Sequence, residues 1–150
     1  MFRAISKTEK EKKSMDVLIV EPEKAPRMAS ITGDLNSLQQ VVGGYIEAVY
    51  PYDDPVAIVC HEEGKLIGLP LNRKLEDYDI IAGTFIVCEL GEEDFDSLTP
   101  ELAEKYREKF ADPEIFMKMG SSSRIVAIPI KPKDDLYVAK PKQKSTEPEL

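Results

Sequence analysis

Apolar residues in this chain fall in short runs separated by Pro, Gly and acidic turns, and two stretches repeat them at helical spacing. Val17-Leu18-Ile19-Val20, closed by Glu21-Pro22, predicts a buried strand, and residues 28–32 predict a weaker one. Asp34 can cap a short helix carrying Leu35, Leu38, Val41 and Val42 on one side, with Gly43-Gly44 ending it. Residues 45–50 form a third strand pattern that runs into Pro51. Residues 56–60 and 65–69, joined by His61-Glu62-Glu63-Gly64, predict a hairpin in which Gly64 supplies a positive φ. The longest strand candidate is 80–90, expected at the sheet centre. A second helix is marked by Thr99 as N-cap, Pro100 and Glu101 in its first turn, the stripe Leu102, Tyr106 and Phe110, and the stop Asp112-Pro113. Residues 124–130 predict a last strand, where Pro129 points to a sheet edge. This order predicts an α+β fold: a mainly antiparallel sheet of about five to six strands with two helices packed on it.

The length of 150 residues favours one domain. Residues 1–14 are Lys-rich and without apolar periodicity, and 131–150 are rich in Pro, Lys and Glu, so both are expected to be disordered arms around a 15–130 domain. The net charge of −8 is unevenly spread. The arms carry +3 and +1, which leaves −12 on the segment between them. Such a segment repels nucleic-acid phosphates and suits a basic protein partner, or solubility alone. No signal-like apolar stretch follows the N-terminus, and the nearly apolar run 80–88 is far shorter than the ~20 residues of a membrane span. A cytoplasmic location, with no membrane contact, is therefore the expectation. Cys60 and Cys88 lie in apolar runs and read as buried thiols, with a disulfide open to them only if their strands are neighbours.

Catalytic signatures are few. His61 is the single histidine, and adjacent strand residues face opposite ways, so it should not share a metal with Cys60. The nucleophile elbow, phosphate loop and dinucleotide turn motifs are missing, and no cofactor or metal is expected. Gly120-Ser121-Ser122-Ser123-Arg124 could face an anion but does not open a helix, and a turn before the last strand is the simpler reading. The run 89–96 places Glu89, Glu92, Glu93, Asp94 and Asp96 close together without calcium-loop spacing, either as a solvated loop or as a docking surface for a basic partner. Glu47 sits in an apolar, aromatic strand beside Tyr45, and Asn72-Arg73 follows Leu69-Pro70-Leu71. A carboxylate so placed calls for a cation, and Arg73 can meet it bidentately. Tyr45, Glu47, Asn72 and Arg73 are thus a candidate ligand or partner site, against the alternative of a structural ion pair.

One series of short motifs adds context: Val17-Leu18-Ile19-Val20 with Glu21-Pro22, then Val42-Gly43-Gly44-Tyr45-Ile46-Glu47, Glu62-Glu63-Gly64-Lys65, Leu69-Pro70-Leu71-Asn72-Arg73, and Ile81-Ala82-Gly83-Thr84-Phe85. In that order they resemble a domain-of-unknown-function family of small accessory proteins from conjugative elements, plasmids and phages of Firmicutes. The likeness covers roughly residues 17–110 and brings no catalytic residues with it. Where this chain has His61, the family pattern commonly carries Asn. The resemblance implies cargo of a mobile genetic element. Together with the acidic segment, it leads to the expectation of a non-enzymatic binding protein that blocks a host defence or DNA-processing protein. A nucleotide-like small-ligand binder is the alternative, and an enzyme ranks last. The sequence leaves the oligomeric state open.

Overall fold

The computed structural model describes residues 14–132 apart from 77, 93 and 121–124. The expected arms, the Ser-rich turn before the last strand and Glu93 therefore lie outside the described residues, except for Ser14, Lys131 and Pro132 and for Gly120 at the head of that turn. The elements run β1 (Ser14–Val20), β2 (Arg27–Thr32), α1 (Leu35–Val42), β3 (Ile46–Val49), β4 (Val56–His61), β5 (Leu71–Leu75) and β6 (Asp79–Ala82). They continue through β7 (Phe85–Leu90), β8 (Phe95–Asp96), α2 (Pro100–Lys109), β9 (Glu114–Lys118) and β10 (Ile125–Pro129). One six-stranded sheet has the order β2-β1-β7-β4-β3, with β8 paired to the end of β7. Every pairing in it is antiparallel. The α+β architecture is as the sequence pattern predicts. Two further ribbons, β5–β6 and β9–β10, stand apart from the sheet.

The sheet is buried on both faces because side chains alternate along its strands. Val17, Ile19, Ala57, Val59, Ile86 and Cys88 turn toward α1, which contributes Leu38 and Val42. Leu18, Val20, Val56, Ile58, Phe85 and Val87 turn the other way, toward Tyr106 and Phe110 at α2 and Leu75 and Ile81 of the β5–β6 ribbon. Two-sided burial explains why these strands read as continuous apolar runs rather than as alternating ones. Helix α1 links β2 to β3, the two sheet edges, and so has to pass across the first face. Its ends are closed as the sequence predicts. Asp34 Oδ1 accepts from Ser37 N–H at 3.1 Å, and Gly43 takes the left-handed conformation at φ 89°.

Helix α2 begins at Thr99, whose Oγ1 accepts from Leu102 N–H at 3.4 Å, with Pro100 at its first position. The Phe110 ring, just past its last turn, meets Phe85 edge-on at 5.3 Å, and Tyr106 meets Tyr52 at the same centroid distance. Outside the core, Tyr106 Oη donates to Asp54 Oδ2 at 2.7 Å and Lys105 Nζ donates to the same oxygen at 2.6 Å. The Lys105 bond, then the Tyr106 bond, holds the Asp54 carboxyl below its ordinary value. One carboxylate thereby ties the loop before β4 to α2.

Three expectations give way. Residues 65–69 are not a strand; Leu69 N–H donates to Gly64 O at 2.9 Å and closes a tight loop instead. Gly64 is required there by proximity rather than by its φ, since a Cβ would lie 2.7 Å from Ala82 O. The long 80–90 candidate breaks at Gly83, φ 86°, into β6 and β7, and only β7 is the sheet centre. Strand β9 was not expected, although Ile115-Phe116-Met117 is an apolar run between Glu114 and Lys118. The cysteines do stand on neighbouring strands, β4 and β7, but Cys60 faces the α2 layer and Cys88 the α1 layer. Both are free, and burial pushes their thiols up to about 11 and about 12.

Phe110→Ala should destabilise the fold by about 3–5 kcal/mol, because the cavity would open against Phe85 and cannot collapse onto a rigid sheet. Tyr106→Ala should cost a similar amount, having lost both ring packing and the bond to Asp54. Urea midpoints of the two variants check this; wild-type midpoints would mean that α2 does not dock as described.

Candidate functional site

Asn72 and Arg73 sit side by side on β5 and are 0% and 1% exposed. A bulge in the β5–β6 register between Leu71 and Arg73 lets consecutive polar side chains turn inward. Asn72 Nδ2 donates to Val20 O at 2.9 Å and to Gly83 O at 2.8 Å. Its Oδ1 accepts from Arg73 Nη1 at 2.8 Å. The guanidinium goes on to grip Phe110 O through Nε at 3.2 Å and Nη2 at 2.8 Å, and Nη2 also donates to Lys24 O at 2.8 Å. Burial brings the Arg73 pKa down to about 10, a shift partly offset by the carboxylates of Glu114 and Asp112. The group therefore keeps its charge at neutral pH. Its acceptors are carbonyls at the C-terminal end of α2 and in the turn after β1, where the helix dipole favours a cation.

These bonds overturn the expected ion pair. Glu47 stands on the edge strand β3 opposite Cys60, with β4 between it and β7, while Arg73 is held at the end of β1 and the end of α2. Glu47 is exposed, as is Tyr45 at 73%. The four residues expected to converge thus divide into a buried pair and an exposed pair. The buried pair was flagged for its chemistry, but its partners are backbone carbonyls, which a search for complementary side-chain charges cannot find.

Of the acidic residues of 89–96, Glu89, Glu92, Asp94 and Asp96 are described. Glu89 on β7 stands directly opposite Asp96 on β8. Glu89 Oε1 accepts from Thr99 N–H at 3.0 Å, Asp94 Oδ1 from Phe95 N–H at 2.8 Å and Asp96 Oδ1 from Ser97 N–H at 2.8 Å. Glu92 is exposed at the tip. Asp16 joins this end of the sheet, since its N–H donates to Ser97 Oγ at 2.8 Å. Among the described residues, none of Glu89, Glu92, Asp94 and Asp96 takes part in an ion pair. Like charges directly opposite each other on paired strands repel, and here backbone N–H groups rather than cations offset part of the negative charge.

His61 closes the opposite end of β4. Its Nδ1 accepts from Glu63 N–H at 3.0 Å, which places the proton of the neutral ring on Nε2. The ring lies against Gly44, where a Cβ would run into Nε2 unless the ring moved. Among the described residues, no group of three or more His, Cys, Asp or Glu side chains is placed to hold a metal ion, and no helix is long and apolar enough to cross a membrane.

The model of one protein family, a domain of unknown function named DUF3846, matches residues 15–111. The chain belongs to that family. No curated protein and no solved structure matches it. The DUF3846 match takes in the sheet, α2 and the Asn72–Arg73 pair, and it stops before β9. The β9–β10 ribbon lies outside the matched residues.

The pair and the exposed carboxylate should respond differently to substitution. Arg73→Met is expected to cost at least about 3 kcal/mol, because Phe110 O and Asn72 Oδ1 lose a charged donor in a buried place and Lys24 O loses one in a part-buried place. Glu47→Gln should stay within about 0.5 kcal/mol of wild type. Chemical denaturation of both single variants reads the difference, and equal losses would restore the ion pair.

Proposed function

We propose that this DUF3846 protein is a non-enzymatic accessory binding protein of a mobile genetic element, acting on a host defence or DNA-processing protein through the acidic β7–β8 hairpin. The observation that carries this reading is the Glu89–Asp96 juxtaposition, with Glu92 and Asp94 beside it and no cation paired to any of them among the described residues. Carboxylates held at fixed spacing on a paired ribbon are pre-organised for Lys and Arg side chains. A nucleic-acid-binding surface is basic and supplies such a complement. The −12 charge of the segment between the arms lends a long-range attraction to the same class of partner. The resemblance of the motif series to accessory proteins of conjugative elements and phages motivates the biological setting. The small-ligand alternative is the second reading, because Asn72 and Arg73 spend their hydrogen bonds on the fold while Tyr45 and Glu47 are exposed.

Pull-down from host lysate with the full chain tests the proposal. A basic protein should be retained at low salt and released at high salt, as screening weakens exposed charge pairs. Glu92→Lys combined with Asp96→Asn should lose that protein while melting as wild type does. Retention by the charge-altered chain would overturn the reading.

A further inference from the structure

The loop after β4 presents apolar side chains to solvent in a place built to be rigid. Ile67 N–H donates to Glu63 O at 3.0 Å, Gly68 N–H to Lys65 O at 3.2 Å and Leu69 N–H to Gly64 O at 2.9 Å. Gly64 lies hard against the Ala82 backbone, and Gly83 approaches Leu69 so closely that a Cβ would sit 2.7 Å from its Cδ1. Lys65 Nζ reaches Asp79 Oδ1 at 2.6 Å and fixes the loop to β6. Despite these constraints, Leu66 is 80% and Ile67 56% exposed. Tyr45, 73% exposed, is tied to the start of this loop through its carbonyl, which accepts from Glu62 N–H at 2.9 Å. A single exposed aliphatic is ordinary, but two on a pinned loop beside an exposed tyrosine form a pre-organised apolar surface.

The charges around the patch say what kind of partner fits it. Glu62 and Glu63 are exposed and unpaired among the described residues, and the neighbouring cation, Lys65, is taken by Asp79. We propose that Leu66, Ile67 and Tyr45, rimmed by Glu62 and Glu63, are a docking surface for a basic amphipathic peptide segment of a partner protein. Aliphatic side chains of that segment pack on the patch, and its Lys or Arg side chains meet the two carboxylates. The acidic rim disfavours a second copy of this chain and an anionic lipid surface by like-charge repulsion. The surface lies at the His61 end of β4, whereas Val56 at the other end pairs with Glu89. It is therefore separate from the β7–β8 hairpin, and its failure would leave the role proposed for that hairpin standing.

The test is amide chemical-shift mapping of the full 15N-labelled chain titrated with a synthetic amphipathic peptide of Lys and Leu. Saturable shifts should concentrate on residues 44–47 and 61–68. Leu66→Ser combined with Ile67→Ser should weaken the peptide at least about tenfold, as loss of apolar anchors does. Both positions are exposed, so the melting temperature should hold. Glu62→Gln with Glu63→Gln should flatten the salt dependence of binding. Shifts centred on β9–β10 or on the β7–β8 hairpin, unsaturable shifts, or wild-type affinity in the serine variant would each overturn the proposal. Shifts at the loop that grow with protein concentration in the absence of peptide would overturn it too, in favour of a second copy.

Discussion

A guanidinium cannot be left dry in an apolar interior without acceptors for its N–H groups, and Arg73 is 1% exposed with no carboxylate bonded to it. Its acceptors are Phe110 O, Lys24 O and Asn72 Oδ1, and Asn72 in turn holds Val20 O and Gly83 O. Two adjacent side chains on one short strand therefore fix four separate pieces of backbone: the end of β1, the turn beyond it, the entry to β7 and the exit from α2. Each of these carbonyls lies where regular structure ends, and those of Val20, Gly83 and Phe110 are met by these donors in buried places. The node lets the sheet stop without exposing its core to water.

What the node organises determines what remains for binding. Helix α2 and the β5–β6 ribbon are pinned over one face, α1 covers the other, and the sheet offers its ends to solvent. One end gathers the carboxylates of the β7–β8 hairpin. The opposite end carries the glycine-packed loop with Leu66 and Ile67 outward. Both surfaces are tied to the sheet by backbone hydrogen bonds, and contacts of that kind lower the ordering cost of association.

Much of the fold was legible in the residues. Asp34, Gly43, Thr99 and Pro100 mark helix ends through local hydrogen bonding and backbone preference, and local rules suffice for such positions. The stripe Tyr106–Phe110 and the apolar strands follow from periodicity. The 65–69 loop misled because Leu66 and Ile67 look like strand residues, while the contacts that fold them into a loop, Gly64 on Ala82 and Lys65 on Asp79, come from distant sequence. The Glu47–Arg73 pair misled for a related reason. Residue type gave Arg73 a need for acceptors, and only the tertiary fold shows that carbonyls supply them. The clustering of Glu89, Glu92, Asp94 and Asp96 was readable because a tight hairpin keeps sequence neighbours together.

A double-mutant cycle across Asn72 and Arg73 tests the central claim most directly. If the two side chains act as one node, Asn72→Ala and Arg73→Met should each destabilise strongly, and the double variant should lose less than the two losses added together, with a coupling of about 1–3 kcal/mol. Losses that add to within about 0.5 kcal/mol would mean that the two residues hold their carbonyls independently, and the account of a shared anchor would be wrong.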